Sequence, residues 1–214
     1  MKFSLHVQTR ITDWQVVKFL EDLGYDACWI PDTQMMWSDC YATMALAAQN
    51  TSRIHIGTGV AIAGTRIAPT TAAAIASINA LAPGRIFLGI GTGHTAMRVM
   101  GQDPLPIKEF RDYLRVVRSM LQGQETEFTY RDKTTPIVWQ NHGAGFRNIE
   151  TPIPIYVAAN GPRALRTAGM YGDGLVSVFN EQKDVLEFNL KHVREGAITS
   201  NKTTLGIENR HHVV

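Results

Sequence analysis

The residues best suited to chemistry stand in YVAANGPRAL, residues 156–165. An apolar run enters Asn160-Gly161, and Pro162 suits the first position of a helix, where its missing N–H costs nothing. The N–H groups of Gly161, Arg163 and Ala164 would then point outward with the positive end of the helix dipole. That makes a phosphate site without a dedicated charge. Arg163 either adds a contact or is a solvated first-turn residue, and the stretch reads equally well as a plain helix start. A second candidate is Asp32, with Thr33 and Gln34, just past the apolar stretch DACWIP. A carboxylate there can accept a proton, orient a ligand amide or cap a helix.

Gly89-Ile90-Gly91-Thr92-Gly93-His94 follows another apolar run. Its G-x-G-x-G spacing lacks the last glycine of a dinucleotide fingerprint, and no acidic residue ends a following strand at the required distance. A Rossmann-like nicotinamide site is therefore disfavoured. There is no Ser-His-Asp set with an elbow motif, no Cys-x-x-Cys and no His-x-x-x-His. His55, His94, His142 and His192 stand singly, and His211-His212 lie near the end. His55 reads as a strand residue and His192 as a helix-surface one, so no metal site is expected. Cys28 and Cys40 are too few for a disulfide framework and read as a buried strand residue and a helix-start residue. Trp29, Trp37, Tyr156 and Phe179 lie near predicted strand ends. They offer a stacking surface for a planar ring or serve as ordinary core.

These residues need a scaffold, and composition supplies the first bound. The chain has 214 residues, 44% hydrophobic and 19% charged, with a net charge of +2. That describes a globule with one sizeable core, and gives no electrostatic case for nucleic acid or an anionic membrane. No apolar stretch reaches about 18 residues and no signal peptide is evident, so the expected location is the cytoplasm.

The central stretch is residues 53–94. Ile54 to Val60 and Ile86 to Ile90 lack clean polar alternation, as strands buried on both faces do. Between them Pro69 opens a helix of small residues that Pro83-Gly84 stops. Such a strand, helix and strand form a right-handed parallel crossover. Both runs end in glycines (Gly57, Gly59; Gly89, Gly91, Gly93). Those glycines either make turns or let backbone approach a ligand.

The same rhythm runs along the chain. Phe3 to Val7 predicts a strand. Thr12-Asp13 then caps a helix whose apolar positions are Trp14, Val16, Val17, Phe19 and Leu20. Asp26 to Pro31 is the next strand, and Ser38-Asp39 caps a helix to Ala48. After a polar loop with Pro104 and Pro106, a helix runs from about Lys108 to Leu121. Residues 122–150 break the rhythm, with strands Glu125 to Tyr130 and Pro136 to Trp139 around Arg131-Asp132-Lys133-Thr134. Ile153 to Ala159, a helix to about Met170, Leu175 to Val178 and a helix from Glu181 to Arg194 complete six strand–helix units. The expected organisation is a barrel-type domain over 1–197, with the insertion 122–150, and an irregular tail over 198–214. Alternation alone suits a doubly wound sheet or a β/α barrel, and an eight-unit barrel typically needs about 250 residues.

GYDACWIPDTQ, TSRIHIGTGV, TTAAAIASINALAPGRIFLGIGTG and IPIYVAANGPRALRTAGMYGDGLV resemble the bacterial-luciferase-like oxidoreductases. The nearest branch is the deazaflavin-dependent one that includes methylenetetrahydromethanopterin reductase. The match runs in order from about residue 2 to 197. The resemblance implies an α/β fold, a TIM-type (β/α) barrel, that binds coenzyme F420 or FMN at the C-terminal ends of its strands. The last two βα units are not matched, which leaves open a fragment, a frame-disrupted product or a reduced relative.

The resemblance also assigns residues. A non-proline cis peptide is implied at Gly59-Val60, forming a bulge under the cofactor ring. Gly91, Thr92, Gly93 and His94 would line the cofactor, and Ala159, Asn160, Gly161, Pro162 and Arg163 would hold its phosphate. Asp32 and Thr33 would stand near the reacting side. Deazaflavin relatives often carry Asp-His where this chain has Asp32-Thr33, so histidine acid/base catalysis at that place is absent. Some carry Glu where this chain has His94.

The implied activity is hydride transfer between the cofactor and a small organic substrate. The alternatives are an FMN-dependent monooxygenase and a non-catalytic flavin-binding protein with an incomplete barrel. Open sheet edges would favour a homo-oligomer, most simply a dimer.

Overall fold

The computed structural model describes residues 2–141, 143–177 and 183–200. In chain order, β1 (Ser4–His6) leads through a 3-10 turn into α1 (Trp14–Asp22), then β2 (Ala27–Ile30) and α2 (Cys40–Asn50). Next come β3 (His55–Thr58), β4 (Ala61–Ile62), α3 (Ala68–Leu81), β5 (Ile86–Gly91), the short α4 (His94–Arg98) and α5 (Ile107–Leu121). The hairpin β6 (Thr126–Tyr130) and β7 (Lys133–Ile137) precedes β8 (Ile155–Ala158), α6 (Pro162–Tyr171), β9 (Gly174–Val176) and α7 (Lys183–Thr199). The expectations for His142, Val178, Phe179, Glu181 and 201–214, His211-His212 included, lie outside the described residues.

The main sheet runs β1-β2-β3-β5-β8-β9, all parallel, with β4 also on β5. It is the open, parallel sheet of a half-barrel, flanked by helices. The inner strands β2, β5 and β8 are buried on both faces, which explains their unbroken apolar runs, whereas the edge strand β1 is largely exposed and β9 half-buried. Cys28, Ile30, Ile56, Leu88, Ile90, Ile155 and Val157 pack against the helices. The concave face carries Ala27, Trp29, Phe87 and Tyr156 as a separate aromatic cluster. Trp29 meets Phe87 edge-on at 4.5 Å, and His6 stacks over Trp29 at 5.7 Å.

Two glycines of the central stretch serve this cluster. A Cβ at Gly57 would lie 2.0 Å from the Phe87 ring, and one at Gly89 would lie 2.2 Å from Thr58 O and 2.8 Å from Trp29. At both places the missing side chain makes room for the protein's own rings and backbone.

The helices differ from expectation in detail. Asp13 makes no side-chain cap, whereas the Asp39 carboxylate accepts from Ala42 N at 2.9 Å as expected. In α1 only Val17, Leu20 and Glu21 are buried, while Val16 and Phe19 face solvent, because a nine-residue helix on a sheet edge buries a narrow i, i+3, i+4 stripe. His192 is buried rather than on the surface. α7 lies close against α6 because Gly169 and Gly196 carry no Cβ: one at either would stand 2.0 Å from a carbonyl of the facing helix. That approach places Asn189, His192, Val193 and Gly196 on the inner stripe. His192 Nδ1 is 2.9 Å from Phe188 O. The hairpin turns more tightly than predicted, at Arg131-Asp132, where both residues have positive φ. α4 was not expected within the polar loop.

Candidate functional site

Parallel strands put every candidate residue at one rim. Asp32 and Thr33 follow β2, Gly59 and Val60 separate β3 from β4, Gly91 ends β5, and Ala159 to Arg163 follow β8. Register brings them level. Ile62 pairs with Gly91, Ile90 with Val157, and Ala158 with Val176. A Cβ on Gly91 would stand 3.3 Å from Ala158 Cβ.

The Gly59–Val60 peptide bond is cis. From Gly57 to Ala61 the strand advances four residues while β5, from Phe87 to Ile90, advances three. One residue is therefore extruded as a bulge. As a result Gly59 and Val60 both face the concave side. Gly59 lies over Trp29 and His6, and Val60 methyls come within 3.2 Å and 3.3 Å of the Cβ positions of Gly89 and Gly91.

Asp32 is 5% exposed. Its Oδ2 accepts from Ile62 N at 3.3 Å. Burial pushes its carboxyl above the usual range, against Arg66, the Cys40 thiol and the Ile62 amide. The Cys40 thiol, buried beside this carboxylate, is pushed up strongly in turn. Arg66 itself pairs with Asp39 and lies over the Tyr41 ring at 4.6 Å. The Thr33 carbonyl accepts from Met36 N and Trp37 N. Gln34 Nε2 donates to Ala96 O at 3.1 Å and so joins the loop after β2 to α4.

The Thr92 carbonyl accepts from Leu105 N at 3.0 Å, Gly93 has φ +91°, and His94 opens α4 exposed to solvent. Across the rim, Gly161 is the N-cap residue of α6 and supplies no side-chain cap. Leu165 N is bonded to Gly161 O, and the first-turn donors Arg163 N and Ala164 N have no backbone partner among the described residues. A Cβ at Gly161 would meet nothing within 4 Å. Asn160 and Arg163 are exposed beside it. This is an open, donor-lined turn with room for an anion.

Sequence reasoning did not single out Ile62, Arg66, Ser177 or Asn189. Ser177 Oγ donates to Asn160 Oδ1 at 2.7 Å, and Asn189 Nδ2 donates to Ser177 Oγ at 3.3 Å. Only the position of Ser177 just past β9 signalled it. Among the described residues no group of three or more His, Cys, Asp or Glu is placed to hold a metal ion. None of the described helices is long and apolar enough to cross a membrane.

An open parallel half-barrel with its polar loops gathered at the strand C-termini defines a β/α-barrel-type ligand-binding scaffold. The family model for luciferase-like monooxygenases matches residues 14–207, and the chain belongs to that family. It is 30% identical over 211 residues to an F420-dependent glucose-6-phosphate dehydrogenase of Beutenbergia cavernae, covering 88% of this chain and 59% of that protein. It is 32% identical over 184 residues to the 5,10-methylenetetrahydromethanopterin reductase of Methanolobus tindarius, covering 84% and 53%. The chain thus spans a little over half the length of these relatives. The solved structure of the coenzyme F420 dependent tetrahydromethanopterin reductase from Methanopyrus kandleri superposes with a TM-score of 0.75 at 24% identity. That match covers 96% of this chain and 63% of the other. The FMN complex of the oxygenating constituent of 3,6-diketocamphane monooxygenase from Pseudomonas putida gives a TM-score of 0.72 at 19% identity, covering 95% and 64%. These two likenesses establish the shared fold.

Proposed function

We propose that the protein is an oxidoreductase that uses coenzyme F420, or failing that FMN, to move a hydride to or from a small organic substrate. F420 comes first because the dehydrogenase relative, at 30% identity, is F420-dependent by name. The observation that carries the reading is the α6 N-terminus, with two first-turn N–H groups that have no partner among the described residues and open space at Gly161, three residues past Ala158, whose side chain adjoins Gly91 on the same rim. A phosphate-bearing cofactor fits that turn.

In this reading Asn160, Gly161 and Arg163 hold the phosphate, and Pro162 sets the helix start. Gly91, Thr92, Gly93 and His94 border the cofactor along the rim, with Ala159 between them and the turn. Gly59 and Val60 form the surface under the ring. Asp32 and Thr33 stand on the ring's far side, where Asp32 acts by fixing the bulge as much as by meeting substrate. The cofactor supplies the hydride chemistry, and the protein supplies orientation.

Titration of the purified protein with F420 and with FMN, followed by fluorescence, tests the reading. Saturable binding of at least one is expected, and binding of neither overturns it. Turnover with the reduced cofactor then separates an enzyme from a flavin-binding protein.

A further inference from the structure

We infer that Ser177 and Asn189 are positioning residues for the anion-binding turn. They hold the Asn160 carboxamide with its oxygen turned inward and its NH2 turned out toward the anion. The inference rests on the phosphate reading of that turn and adds two residues from elements the reading does not use.

The argument is one of proton counting. A serine hydroxyl has one proton to give. Asn189, 3% exposed on α7, donates through Nδ2 to Ser177 Oγ at 3.3 Å. Ser177, 7% exposed just past β9, sends its proton to Asn160 Oδ1 at 2.7 Å. The Asn160 oxygen is thereby occupied. Among the described residues nothing accepts from its Nδ2, and the residue is exposed beside the first-turn N–H groups of α6. Flipped the other way, Asn160 would present an oxygen to the anion and repel it. In the arrangement that the structure shows, the relay holds the flip that binds. A turn residue of no function would need no buried serine and asparagine behind it, since either end of its amide is satisfied by water.

The test compares each cofactor ring with and without its phosphate: FMN against riboflavin, and F420 against its phosphate-free chromophore. The wild-type protein should prefer the phosphorylated form. Ser177→Ala should cut that preference roughly three- to tenfold, the worth of one hydrogen-bonded orientation, while affinity for the phosphate-free ring is unchanged. Ser177→Thr keeps the hydroxyl and should restore the preference. Asn160→Asp should abolish it, because a carboxylate faces the anion. Thermal melts identify any variant that fails to fold, and Asn189→Ala, which removes the donor behind Ser177 and should weaken the preference in the same direction, reads the relay in that event. If the wild type prefers phosphate but Ser177→Ala leaves the preference intact, the relay is wrong and the phosphate site stands. If the wild type shows no preference, or binds neither form, the phosphate reading falls and the relay with it.

Discussion

The Asp32 carboxylate accepts a hydrogen bond from Ile62 N at 3.3 Å, tying the end of β2 to the residue two places beyond Val60. Between these two lies the bulge on which Gly59 and Val60 turn to the concave face. Asp32 is thus a structural clamp on the rim, whatever else it meets there.

That clamp has a pH signature. Burial raises the Asp32 carboxyl above its ordinary value, so the native state binds its proton more readily than the unfolded chain does. The contribution of this group to stability therefore falls as pH rises through the native value. Asp32→Asn removes the titration and keeps an oxygen for Ile62. In urea melts it should gain on the wild type between about pH 4 and about pH 7. Asp32→Ala loses the acceptor too and should be about 1–2 kcal/mol less stable than Asp32→Asn at both ends. A gap between wild type and Asp32→Asn that stays constant with pH contradicts the assignment.

A glycine inside β5 and one at the rim should respond in opposite ways. An alanine Cβ at Gly89 collides with Thr58 O at 2.2 Å, a backbone atom that cannot step aside. Gly89→Ala should cost more than about 3 kcal/mol or prevent folding. Gly161 has ordinary extended backbone, φ −94° and ψ 156°, and nothing within 4 Å of a new Cβ. Gly161→Ala should stay within about 0.5 kcal/mol of the wild type in stability. Its expected cost is in cofactor affinity, because the methyl group occupies the space left for the phosphate. Chemical denaturation and fluorescence titration of the two variants separate these effects.

The contrast also marks what sequence can carry. The strands and the small-residue helix α3 were legible because burial on two faces leaves an unbroken apolar run, and a helix leaves a Pro at its start. The turn at Asn160-Gly161-Pro162 was legible for the same local reason. Gly57 and Gly89 were not. Their purpose lies across the sheet, in the rings of Phe87 and Trp29, and nothing near them in sequence encodes that. The inward place of His192 depends likewise on Gly169 and Gly196 in two different helices. Ser177 and Asn189 act only through Asn160, a residue 17 positions before Ser177, so no local pattern singled them out.

At the opposite end of the sheet, Arg85 closes α2. Its guanidinium donates to Ala48 O, Thr51 O, Ile54 O and Thr51 Oγ1 at 2.9–3.2 Å. The planar fork reaches several carbonyls that end the helix, where an ammonium group offers no such geometry. Arg85→Lys should therefore be destabilising by about 2 kcal/mol in urea denaturation, despite the unchanged charge. Loss of less than about 0.5 kcal/mol would show that water replaces the fork.

Glu21 holds the neighbouring corner and should govern acid sensitivity. Its Oε1 accepts from Ser52 N at 2.9 Å, Arg53 N at 2.6 Å and Ile54 N at 3.0 Å. Burial works to raise this carboxyl, but the three amides, helped by Lys18, outweigh it and hold the value at about 2. A carboxyl depressed in the fold stabilises it above the unfolded value near 4.5, and that stabilisation is lost as pH falls toward 2. The wild type should exceed Glu21→Gln by about 2–3 kcal/mol near neutral pH. The advantage should shrink steadily below about pH 4.5 as the carboxylate takes up its proton. Urea melts of both proteins across that range measure the difference directly, and a difference that is flat with pH would mean that the three amides bind the protonated acid as well as the carboxylate.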